Sequence, residues 1–165
     1  MGYFKRFILI FLGLFLGGAI GVGPYLAKIK EIEQRVQVYI NDQIIVADVV
    51  RAENERNAGL SGREAMGVNE GMLFLFDEPG RYGFWMKGMK FPIDIIWING
   101  NKVVGIEERA PIAGETRDRE IPIYYPPEEV DKVLETVAGR ARLLRLAIGD
   151  EIRIKAFVPR LEMGK

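Results

Sequence analysis

Two charged side chains, Lys87 and Asp94, stand inside a near-continuous apolar and aromatic stretch, GMLFLFDEPGRYGFWMKGMKFPIDIIWI, over residues 71–98. Burying an unpaired ammonium or carboxylate is costly, so each is expected either to be ion-paired or to face solvent in a shaped site. Arg63 and Arg81 could join them in a charge cluster beside an aromatic wall of Phe84, Trp85 and Trp97. Such a cluster has a structural reading, an ion pair that fixes strand register. It also has a ligand-binding reading. Tyr82 and Trp85 would supply a stacking face, and Arg63, Lys87 and Asp94 directed polar contacts, the combination that holds a sugar or another small polar molecule.

Catalysis is constrained by what the chain lacks. Among its 165 residues there is no histidine and no cysteine, which removes the commonest general base, thiolate nucleophiles, disulfides and cysteine-based zinc sites. Acid and base roles would fall to carboxylates such as Asp77, Asp94, Glu70 and Glu107, and their spacing pairs none of them. Ser61 is the only serine, so a serine nucleophile could be activated only in a Ser–Lys arrangement. Met66, Met72, Met86 and Met89 could offer soft thioethers to Cu(I), against the ordinary role of methionine as a core filler. Phosphate-binding, dinucleotide-binding and calcium-loop motifs are absent, so no metal or cofactor is assigned. With 23 basic and 23 acidic residues the net charge is zero, which disfavours a nucleic-acid partner.

The elements that must position these residues are mostly strands. Val36, Val38 and Ile40 alternate with polar neighbours, Asn41-Asp42 supplies a turn, and residues 44–50 form a second β-rich run. Residues 52–58 read as a short helix closed by Gly59, with Leu60 and Met66 facing the core. Strands are expected over 72–76 and 82–86 around a turn at Glu78-Pro79-Gly80. Another pair, 93–98 and 102–106, flanks Asn99-Gly100, a strong hairpin signal. Pro111, Pro122, Pro126 and Pro127 make residues 110–129 a long irregular excursion with an edge strand at 121–125. A strand at 133–137, a short helix at 140–146 and a strand at 152–158 complete the pattern. It describes a single, mainly β domain, a β-sandwich or partly closed barrel with short helices.

Residues 7–26 form an uncharged apolar run of 20, enough at about 1.5 Å per residue to cross about 30 Å of hydrocarbon as one N-terminal transmembrane helix. An uncleaved signal anchor is favoured over a signal peptide because the run is longer than the usual apolar core of a signal and no A-x-A site follows. The expected order is a basic tip at 1–6, the anchor at 7–26, a charged stalk at 27–36, the β domain at 37–158 and a tail at 159–165. A short basic tip is easily retained in the cytoplasm, which would leave the C-terminal domain extracytoplasmic on a single-pass membrane protein.

Four motifs fall in order: Gly59-Leu60 with Arg63, Gly71-Met72-Leu73-Phe74 with Phe76, Phe84-Trp85-Met86-Lys87, and Pro92-Ile93-Asp94-Ile95. In order and spacing this pattern resembles the domain of unknown function 192 (DUF192) family, and the likeness extends more loosely through Val133-Leu134-Glu135 to Gly149-Asp150. The resemblance implies a single, mainly β sandwich-like domain over residues 38–158 and carries no assigned activity. Where the family commonly continues with Asn-Thr, this chain has Gly88-Met89. The leading expectation is a membrane-anchored extracytoplasmic module that binds a small polar ligand or a cell-envelope partner without turning it over. A carboxylate-dependent hydrolase or lyase is the alternative, and methionine-based Cu(I) binding a second.

Overall fold

The computed structural model describes residues 34–114 and 120–157. The basic tip, the anchor, most of the stalk and the C-terminal tail therefore lie outside the described residues, and among those described no helix is long and apolar enough to cross a membrane. Strands β1 (Arg35–Ile40) and β2 (Gln43–Val50) form the first hairpin, whose two-residue turn is entered through Asn41 at φ 51°. β1 begins inside what the sequence assigns to the stalk. Helix α1 (Glu53–Ala58) follows, its Glu55 carboxylate accepting the backbone N–H groups of Arg51 and Ala52 and its end marked by Gly59 at φ 49°. Then come β3 (Glu70–Gly80), β4 (Phe84–Trp85), β5 (Ile93–Asn99), β6 (Lys102–Ala110), β7 (Ile123–Tyr124), β8 (Val130–Val137), helix α2 (Arg140–Leu143) and β9 (Ile152–Ala156).

Seven strands make one sheet in the order β6-β5-β8-β3-β2-β1-β9, antiparallel throughout except for the parallel pair β2 and β3, which the α1 crossover joins. The sheet curls until its two edges meet at a single bridge, Lys102 against Glu151, and it is not a closed barrel. β4 and β7 form a separate two-stranded ribbon. The mainly β expectation holds. The finer expectation is a β-sandwich or a partly closed barrel; the described residues form one curled sheet that is not closed, with a separate ribbon.

Both faces of the sheet centre are apolar, which explains why the sequence there reads as an unbroken hydrophobic run rather than an alternating one. Along β3, Leu73 enters one core with Ile45, Ile96, Leu134 and Leu144, while Met72 and Phe74 enter the other with Leu60, Met86, Ile95 and Trp97. The ribbon lies over the second core. Phe84 meets Phe74 edge-on at 4.9 Å and Trp97 edge-on at 5.3 Å.

Three local expectations change. The turn at Glu78-Pro79-Gly80 is instead the irregular end of β3: Leu75 pairs with Lys132 and Gly80 with Val130, so five steps along β3 oppose two along β8. That bulged stretch is where Pro79, with no N–H to donate, can sit in a strand. The strand expected at 82–86 and the edge strand expected at 121–125 shorten to the paired residues of the ribbon. The hairpin turn after β5 falls on Gly100-Asn101, one residue later than the Asn-Gly signal suggests, because Asn99 still pairs with Lys102.

Candidate functional site

The face beneath the ribbon carries one row of in-register residues across four strands: Asp48 beside Met72, Met72 beside Glu135, and Glu135 beside Ile95. Asp48 is compensated twice, by Arg35 at 3.2 Å and by Arg63 at 3.0 Å. Glu135 is not. It is 5% exposed, and among the described residues no donor hydrogen-bonds its carboxyl. Burial pushes its pKa up to about 8, the charge of nearby Arg63 pulling the other way without reaching it as an ion pair.

Glu135 lies at a cavity of about 500 Å³. Its walls are aromatic: Phe74, Phe76, Tyr82, Phe84, Trp85 and Tyr125. Phe76 and Tyr82 stack face to face with centroids 3.7 Å apart, and the Tyr82 hydroxyl donates to the carbonyl of Glu78 at 2.6 Å. Lys87 holds its ammonium 5.4 Å from the Trp85 ring, and Arg56 its guanidinium 5.0 Å from the Phe76 ring. Trp85 is 47% exposed although it belongs to the aromatic wall, and its ribbon partner Ile123 and neighbouring Tyr125 are more exposed still. A shallower hollow shares Asn57, Ser61, Trp85 and Lys87 with the cavity and extends it past Gly88 to Ala113, Gly114 and Ile121.

Of the five ligand-binding candidates, the structure brings Tyr82, Trp85 and Lys87 to this cavity. Arg63 is committed to Asp48, and Arg81 turns away to donate to the carbonyl of Pro127 at 2.7 Å. Asp94 is a correction. It is fully buried, yet it is neither ion-paired nor in a shaped solvent site. Its carboxylate accepts three backbone N–H groups, from Arg109 at 2.8 Å, Gly139 at 2.9 Å and Ala141 at 2.8 Å. It therefore caps the start of α2 from outside and holds an otherwise strained corner, where Arg109 has φ 59° and Gly139 φ 83°. The Lys87–Asp94 pairing does not form.

Ser61 and Met89 also line the cavity, whereas the carboxylates suggested for acid and base roles do not. Glu70 accepts the N–H of Gly67 at 2.9 Å, and neither Asp77 nor Glu107 lines the hollow, whose carboxyls are Glu53 and Glu135. Met72 and Met86 are buried in the core, with Met66 and Met89 packed against it. Among the described residues no three carboxylates converge as a metal site.

Comparison with known proteins agrees with this architecture. A family profile described as "Uncharacterized ACR", that of DUF192, matches residues 36–154. The chain belongs to the DUF192 family. Among curated proteins none matches. A crystal structure from Sinorhizobium meliloti 1021, described as that of a candidate transcription regulator, superposes with a TM-score of 0.64 at 27% identity, covering 74% of this chain and 94% of that one. A protein of unknown function from Novosphingobium aromaticivorans DSM 12444 superposes with a TM-score of 0.62 at 29% identity, covering 72% and 83%.

The DUF192 motifs divide by what their side chains touch. Phe74, Phe84 and Trp85 build the cavity wall, whereas Asp94 secures the far corner of the sheet. At Gly88, where the family pattern commonly has asparagine, φ is 68°, a region that glycine and asparagine both tolerate. The backbone can thus be kept across this departure. The space differs, since a Cβ on Gly88 would lie 2.2 Å from the Ser61 hydroxyl. Glu135 was missed as a site residue because it looks like an ordinary polar position on a half-buried strand. The available signal was a carboxylate directly after Val133 and Leu134, apolar residues that face opposite sides of the sheet.

Proposed function

We propose that this DUF192 domain is a binding module for a small polar ligand that carries a ring, a sugar being the type example. One observation carries the reading: an aromatic-walled cavity of about 500 Å³ with a half-exposed tryptophan at its side and a buried carboxyl that no donor among the described residues hydrogen-bonds. A cavity of that size, combining aromatic walls with polar groups such as Asn57, Ser61 and Glu135, suits molecules of monosaccharide size and larger. Trp85 offers a flat face for the ring, and Glu135 the polar group that fixes its orientation. Membrane attachment through residues 7–26, with the domain outside the cytoplasm, belongs to the same proposal and rests on the apolar run alone. A C-terminal reporter fusion tests it, and reporter activity in the cytoplasm overturns it.

A hydrolase or lyase is the second reading, favoured by Glu135 itself. A carboxyl kept protonated by an apolar pocket is the form a general acid needs near neutral pH. Thermal-shift screening of the full-length protein against sugars, followed by product analysis of any that stabilise it, separates the two readings. Stabilisation with unchanged sugar supports the binding module. Turnover lost in Glu135→Gln supports the enzyme, and no stabilisation by any sugar counts against sugar binding.

A further inference from the structure

We propose that Glu135 sets the specificity of the cavity, admitting uncharged ligands that present a hydrogen-bond acceptor beside a donor, such as a primary amide or a vicinal diol, and turning away ammonium ligands of the same size. The inference rests on the cavity being a binding site. Its ground is geometric. Glu135 points from β8 to the face it shares with Met72 and Phe74 of β3 and Ile95 of β5, none of which can hydrogen-bond or neutralise it. Of the charged groups around it, Arg63 on the loop after α1 is held by Asp48 of β2. Glu53 and Arg56 of α1 and Lys87 after β4 line the cavity, with Tyr82 and Tyr125 as its other titratable groups.

A carboxyl in such surroundings is cheapest as the neutral acid, which donates through one oxygen and accepts through the other. Burial with a pKa of about 8 agrees with that form at neutral pH. An acceptor–donor pair on the ligand satisfies both oxygens at once. An ammonium would force the acid to ionise in a buried site.

The test uses two probes of equal size, benzamide and benzylamine, titrated into the full-length protein at pH 6.5 while the Trp85 indole resonance is followed. Benzamide is expected to bind at least tenfold tighter than benzylammonium. Its affinity is expected to fall about thirtyfold between pH 6.5 and 9.5, as the protonated fraction of a group with pKa about 8 declines. Glu135→Gln keeps a donor and an acceptor, so it should retain benzamide binding and lose the pH dependence, whereas Glu135→Leu should lose the binding. Equal affinity for the two probes, or a benzamide affinity that ignores pH in the native protein, overturns the specificity while leaving a binding cavity. Failure of both probes to shift Trp85 overturns the cavity reading and this inference with it.

Discussion

Replacing Glu135 by glutamine keeps the side chain's shape while removing its titration, so the stability difference between the two proteins should grow with pH. The folded state holds this carboxyl at a pKa of about 8, against 4.5 for an ordinary glutamate. Between those values the folded chain retains a proton that the unfolded chain releases. The sign follows: native stability from this group is complete below about pH 4.5, falls by about 1.4 kcal/mol per unit above it, and levels off above about pH 8. The native protein is then disadvantaged relative to Glu135→Gln by about 1 kcal/mol more at pH 5 than in strong acid, about 3 at pH 7, and about 5 at the plateau. For a domain of this size the pH 7 figure corresponds to roughly 10 °C in melting temperature. Urea unfolding of both full-length proteins, followed by circular dichroism at several pH values, reads the difference directly, with other titrating groups cancelling. A difference that stays constant from pH 5 to pH 8 would mean that Glu135 ionises as it does in water and is not held protonated by burial. Arg63→Met, which removes the one charge that lowers the pKa, should push the titration to higher pH.

Other substitutions separate the scaffold from the site. Asp94→Asn replaces a carboxylate oxygen with an amide donor facing backbone N–H groups, so it should cost about 2–3 kcal/mol in urea unfolding while leaving the affinity of a cavity probe unchanged. Trp85→Ala, at a position 47% exposed, should change stability by less than about 1 kcal/mol yet weaken ring-bearing probes by about tenfold in calorimetric titration. Gly88→Ala meets both a positive φ and the Ser61 hydroxyl, and a loss of about 2 kcal/mol or more is expected. In the double variant Ser61→Ala with Gly88→Ala the steric part of that loss should disappear, leaving a non-additive cycle.

The strands were legible wherever burial left a simple signature. Asn41-Asp42 between two β-rich runs gave the first hairpin, and Gly59 gave the end of α1, because turn and cap geometry are set by local backbone preferences. Burial on both faces of β3 and β5 hid the ribbon. Phe84 and Trp85 have the same composition as their neighbours, and only the long excursion returning at Ile123 lifts them off the sheet. The site was half legible for a related reason. An aromatic pair with a lysine announces itself at Tyr82, Trp85 and Lys87, which do line the cavity. Asp94 and Glu135 are both carboxylates in apolar strands, and no local pattern distinguishes them. What does is the register, which brings Arg109, Gly139 and Ala141 to the first and leaves the second with Met72 and Ile95.

The proposal that the cavity binds a ring-bearing ligand is tested most directly by the two tryptophan indole resonances of the full-length protein during titration with a methyl hexopyranoside. Trp85 lines the cavity and is half exposed, whereas Trp97 is 3% exposed beneath Phe84. A saturable shift of Trp85 with Trp97 nearly unmoved, abolished by Glu135→Leu, is expected. A Trp85 resonance that stays fixed up to high sugar concentration, or a shift that Glu135→Leu leaves intact, would contradict that proposal.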